Sequence, residues 1–323
     1  MIVPAYWAES RSQHREKNRQ ITVRRWGWSD TGQVEAQAHA DERVRDALAR
    51  LIAGEALPRR EPKKAYNGAH GVPIREEIVE RHGTSVITRN AYGARCLNTP
   101  DVLFADIDFD TASPAGTGWA WMLLVAAAVG AWWLIESTVL GAVAAAVLAG
   151  LAFAARRRAA HRTAASPQPE ALARERIATF MAAHPLWKLA VYRTPAGLRA
   201  IALHQRFKPD DAAVASFFDA VKVDPTYRVM CLNQHCFRAR VSAKPWRIGI
   251  ERHLRPRPGV WPVSGEHLPA RQAWVAAYEA EAGAHAACRW LETLGQGAID
   301  LDAKAVQELH DQLSGATSER PIA

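Results

Sequence analysis

The sequence lacks a His-Glu-x-x-His pair, a Gly-x-Ser-x-Gly elbow and a phosphate-cradling glycine loop. Enzyme classes that announce themselves by a single motif are therefore unsupported. Cysteine is scarce: Cys96, Cys231, Cys236 and Cys288 are the only four in 323 residues. That excludes a disulfide scaffold and makes free thiols the default. Cys231, His235 and Cys236 lie close in sequence, yet no second ligand pair with zinc spacing follows. Residues 1–7 carry no basic leader before the charged stretch 9–19, which argues against a signal peptide.

Charge is missing from one long region. Residues 111–135 and 137–155 contain no Asp, Glu, Lys or Arg, and only Glu136 separates the two runs. A bilayer core takes about 20 apolar residues per helix, so the pattern predicts a transmembrane helical hairpin over residues 111–155. Trp119, Trp121, Trp132 and Trp133 suit the two interfaces of its first helix. Arg156, Arg157 and Arg158 flank the second helix, and positive flanks stay cytoplasmic. The expected protein is a two-span inner-membrane protein with both termini in the cytoplasm.

What remains is polar and basic. Residues 1–110 have an excess of one positive charge and residues 156–323 an excess of eight. Such a half suits anionic lipid headgroups or, second, nucleic acid. The predicted domains are a polar α+β segment (1–110), the hairpin (111–155), a linker (156–169), an α+β domain (170–260), and a C-terminal helix and tail (261–323), the tail loose beyond Gly315.

Without the hairpin, the strand over 102–109 is followed by helix 170–183, strands 187–192 and 198–204, a helix at 214–221 and a strand at 236–241. This is the β-α-β-β-α-β order of a ferredoxin-like sheet, an α+β fold into which the hairpin is inserted. Residues 26–30 read as a turn before a helix capped by Asp30 and carrying Val34. Residues 76–81 read as a short helix, 90–100 as loop, 227–232 as strand, and 271–294 as one long helix.

Asp106, Asp108 and Asp110 are the sharpest chemical signal. Alternate strand residues share a face, and three carboxylates on one face repel each other. A divalent oxygen-seeking cation such as Mg²⁺ relieves that repulsion at Asp106 and Asp108. Cross-strand pairing with Arg238 and Arg240 relieves it as well, at about 0.2–1 kcal/mol per pair. Lys244-Pro245-Trp246-Arg247 continues the basic run, and an aromatic among cations suits a phosphate with a stacked base.

Tyr6-Trp7 and residues 23–30, 87–109, 192–199 and 237–247 resemble an uncharacterised family of bacterial membrane proteins, which implies no activity. Ala105-Asp106-Ile107-Asp108, the turn 194–197 and the strand 198–204 are also similar to the archaeo-eukaryotic primase–polymerase core. That resemblance implies metal on the paired acids, with Arg199 where a nucleotide-contacting His stands in the family. Two functions follow as expectations. One is a cytoplasmic binding or scaffold module tethered to the membrane. The other is a tethered Mg-dependent enzyme acting on nucleotides or nucleic acid. For both, Arg199, Arg238, Arg240, Lys244 and Arg247 are the expected anion-binding side chains.

Overall fold

A computed structural model of the chain describes residues 1, 3–16, 19–61, 72–109, 169–257, 259 and 261–323. It divides into two units. The first combines residues 1–108 with 176–323; the second, residues 109–175, is described only at 109 and 169–175.

The protein is a mixed α+β fold whose named strands all pair antiparallel. It opens on a two-stranded ribbon, β1 (Tyr6–Glu16) and β2 (Arg19–Ser29), in continuous register from Tyr6↔Ser29 to Glu16↔Arg19. Helix α1 (Gln33–Ile52) lies on one ribbon face through Ala36, Ala40, Val44, Ala47 and Leu51. Spacings of four, four, three and four residues put these side chains on one stripe. The contact is close because Gly27 has no side chain: a Cβ there would sit 2.1 Å from the Ala40 backbone nitrogen. Gly27 and Trp28 belong to β2, and the turn expected at 26–30 is strand through Ser29. Trp28 stands across from Trp7, α1 is capped at Gly32 rather than Asp30, and Val34 is exposed.

Strands β3 (Glu77–His82), β4 (Ser85–Arg89) and β5 (Arg95–Thr99) form a meander, and β9 (Phe237–Arg240) completes this sheet beside β5. The helix expected at 76–81 is a hairpin strand, because Gly83 (φ 55°) supplies the turn that folds it back on β4. The second sheet has the order β10-β7-β8-β6, built from β6 (Phe104–Asp108), β7 (Leu189–Arg193), β8 (Gly197–Ala202) and β10 (Arg289–Leu294). Helices α2 (Pro169–Ala183) and α3 (Ala212–Val221) fall between strands as expected. Phe180, Trp187, Phe207 and Phe217 pack ring against ring in this core.

Helix α4 (Pro225–Gln234) replaces the strand expected at 227–232. Asp224 caps it by accepting the Thr226 N–H, and Pro225 occupies the first turn, where its missing N–H is harmless. Tyr227, Met230, Cys231 and Gln234 form its buried stripe. Helix α5 (Leu268–Ala282) ends well before Trp290, which lies on β10. The tail is docked, not loose. Helix α6 (Leu301–Ser314) packs inward through Ala303, Gln307, His310 and Ser314, and Ala323 N–H donates to Ala286 O.

The membrane expectation is corrected. Of the six α-helices among the described residues, none is long and apolar enough to cross a membrane. The longest, α1, carries charges along its length, including Glu35, Asp41, Arg43, Asp46 and Arg50. Among the described residues, then, no helix supports the predicted two-span inner-membrane location. Residues 111–155, Asp110 and the flanking Arg156, Arg157 and Arg158 lie outside the described residues.

Candidate anion-binding site

The site begins where β6 and β9 run close without a ladder between them. The buried Tyr227 hydroxyl from α4 donates to Phe104 O on β6 (3.0 Å) and accepts the Arg238 N–H of β9 (3.2 Å). Side chains thus bridge the gap that a ferredoxin-like sheet would close with backbone bonds.

Arg199 is the second bridge. It sits on β8 directly across from Asp106 and is 2% exposed. Its guanidinium donates to both Asp106 carboxylate oxygens, Nε at 2.7 Å and Nη2 at 3.0 Å. Nη1 donates onward to Arg240 O (2.9 Å) and lies 3.1 Å from His310 Nε2. An arginine can only donate, so His310 Nε2 is the acceptor. Its other nitrogen, Nδ1, then carries the proton toward Asp311 Oδ1 at 2.9 Å. Cys288 Sγ lies 3.7 Å from the same Nε2, and Phe104 and Tyr192 enclose the imidazole.

The expected lattice of Asp106 and Asp108 with Arg238 and Arg240 is not what forms. Asp106 pairs with Arg199, while Arg238 pairs with buried Glu76 at 2.6 Å. Strand order decides this: β8, not β9, is the hydrogen-bonded neighbour of β6. Arg238 therefore belongs to the polar interior of the other sheet, beside Thr88 and Asn98.

Beyond Arg240 the chain is pinned and then turns. Ser242 Oγ accepts the Arg95 N–H and shares a hydrogen bond with the Tyr278 hydroxyl, 2.6 Å away. A single 3₁₀ turn (Pro245–Arg247) follows, with Lys244 at its start. The Lys244 ammonium stands 5.5 Å from the Trp246 ring centre, and Trp246 meets Tyr92 edge to face at 5.2 Å. Trp246 is 53% exposed. Among the described residues, Arg240, Lys244 and Arg247 have no ion-pair partner within 4 Å, and Arg247 Nη1 is buried without a hydrogen bond.

Beside burial, repulsion within the cluster shows in the acidities of Lys244 and Arg247. Burial and then Arg240 and Arg247 push the Lys244 pKa down; burial and then Arg240 lower that of Arg247. Across from them, burial, Asp106 and Asp224 raise the Asp108 carboxyl, with Lys244 and Arg247 opposing. Asp224, the cap of α4, escaped the sequence reading, as did Tyr227 and His310. The Asp-Pro-Thr cap signal before a stripe at i, i+3, i+4 and i+7 marks α4. No local signal placed His310, which reaches the site only through tertiary packing.

No family model, curated protein or solved structure matches this chain. The chemistry of the site rests on its own residues. It offers three cations without an ion-pair partner within 4 Å, an exposed indole and one nearby carboxylate. Among the described residues, no three acidic, His or Cys side chains are grouped to hold a metal ion.

Asp108 gives a pH prediction. Its folded pKa lies above the ordinary 3.8, so the folded chain holds that proton more tightly than the unfolded one. The associated stability is complete below the ordinary value and is lost as pH rises through the folded value. Asp108→Asn is therefore expected to raise the melting temperature at neutral pH and to flatten its dependence between acid and neutral pH. A lower melting temperature at pH 7 in a thermal scan would contradict this.

Proposed function

We propose that the protein is a nucleotide-binding module, holding phosphate oxygens with Arg240, Lys244 and Arg247 and the base against Trp246. The supporting observation is the convergence of three cations without ion-pair partners beside a half-exposed indole on a pinned turn. A phosphate chain removes their repulsion and supplies acceptors for donors that lack them. Base stacking on an aromatic contributes about 1–3 kcal/mol. The order β6-α2-β7-β8-α3 supports reading the frame as ferredoxin-like, with its fourth strand moved to the neighbouring sheet.

Magnesium-dependent nucleotide chemistry at Asp106 and Asp108 is the weaker reading. Both Asp106 oxygens already accept from Arg199, which leaves little of that carboxylate for a cation.

Calorimetric titration of ATP into the full-length protein, with EDTA present, tests the proposal. Wild-type protein is expected to bind, and Lys244→Ala/Arg247→Ala to weaken binding at least tenfold. Trp246→Ala is expected to weaken it by roughly 5- to 150-fold, the stacking contribution converted to affinity. Affinity unchanged in the double variant, or binding seen only with Mg²⁺ and abolished by Asp108→Asn, would overturn it.

A further inference from the structure

The β1–β2 ribbon has two unlike faces. One carries Ala8, Val23 and Ile21 and lies under α1. The other carries Trp7, Glu9, Trp26 and Trp28 at one end, where the tryptophans pack with Val72 and Trp261, and six polar side chains at the other, Arg11, Gln13, Arg15, Gln20, Thr22 and Arg24, the first four of them exposed. Alternation along two strands in register collects these six side chains into one patch. Its composition is unusual for a solvated face, which normally mixes charges of both signs.

Arg11 stands directly across from Arg24, a like-charge pair that weakens a ribbon on its own. Among the described residues, Glu9 is the acid set against them, 3.8 Å from Arg24. Among the described residues Arg11 and Arg15 have no ion-pair partner. Beside β2, Arg59 accepts the Arg24 N–H with its carbonyl, and the side chains of Arg59 and Arg60 are exposed. Cations therefore flank the patch as well as occupy it.

We infer that this face is a docking surface for double-stranded DNA, entering the major groove as a two-stranded ribbon. Charge complementarity supplies the attraction. The interleaved side chains supply the fit: Arg suits the guanine edge, Gln the adenine edge, and the Thr methyl the thymine methyl. A B-form major groove about 12 Å wide admits such a ribbon. The patch covers five residues of each strand, which at about 3.3 Å each span about 16 Å, roughly half of one helical turn. The major groove of A-form RNA is too deep and narrow for it. The patch residues carry no apolar side chain to insert into lipid.

Fluorescence anisotropy with a labelled mixed-sequence 20-base-pair duplex and the full-length protein tests the inference. The duplex is expected to bind, with affinity falling steeply as salt rises. Arg11→Ala/Arg15→Ala is expected to lower affinity at least tenfold at 0.1 M salt. Both residues are exposed, and removing Arg11 relieves its opposition to Arg24, so folding is retained. Lys244→Ala/Arg247→Ala is expected to bind the duplex like wild type, which separates this surface from the nucleotide site. Four results would overturn the inference: no duplex binding, equal binding by the ribbon variant, equal or tighter binding of an RNA duplex of the same sequence, or loss of duplex binding in the Lys244/Arg247 variant.

Discussion

Glu76→Ala is expected to lower the unfolding free energy by about 3–5 kcal/mol, the cost of stranding one partner of a buried ion pair. Glu76 and Arg238 are both nearly inaccessible and lie 2.6 Å apart. Thr88 Oγ1 donates to the same carboxylate oxygen, and Arg238 Nη1 already lacks a partner. Removing the carboxylate leaves a guanidinium that water cannot reach. Replacing both residues, in Glu76→Leu/Arg238→Leu, is expected to recover much of the loss, because a well-packed apolar pair needs no compensation. Urea denaturation of the two variants measures the difference. A Glu76→Ala loss below about 1 kcal/mol, no larger than an ordinary substitution, would show that water reaches this interior after all.

Asp106→Ala is the second large effect. Its partner Arg199 is as buried as Arg238, but the Asp106 side chain itself is 38% exposed. Water entering at the vacated carboxylate offsets part of the penalty, so the expected loss is about 3 kcal/mol, the lower end for a broken buried pair. Asp106→Asn keeps one acceptor for Arg199 and is expected to lose less. Because Arg199 also holds the Arg240 carbonyl, the Asp106→Ala change is expected to weaken ATP binding beyond its effect on stability. A denaturation loss with unchanged ATP affinity would show that the bridge supports the sheet and not the turn that follows β9.

Local pattern carried much of the secondary structure. The alternation of Leu103, Ala105 and Ile107 with Asp106 and Asp108 marked β6, and the Thr194–Gly197 turn marked the β7–β8 hairpin. Partners were another matter. The sequence sets Arg238 and Arg240 against Asp106; the strand order β7-β8-β6 puts Arg199 there instead. Residues 227–232 read as strand because an apolar run has no visible period over six residues, whereas the full stripe from Tyr227 to Gln234 is helical. Helix α6 was missed because its buried stripe includes Gln307, His310 and Ser314, polar residues whose partners lie far away in the chain. The cation cluster was legible as a basic run. Its lack of acidic partners was not, since that is a property of the packed fold.

In the proposed site, Arg240, Lys244 and Arg247 hold phosphate oxygens, and these anchor the ligand more than the base does. Competition against bound ATP tests it most directly. Inorganic triphosphate is expected to displace ATP from the full-length protein, and adenosine at equal concentration is expected to leave it bound. Displacement by adenosine, with triphosphate without effect, would show that the base and not the phosphate chain is what the site holds.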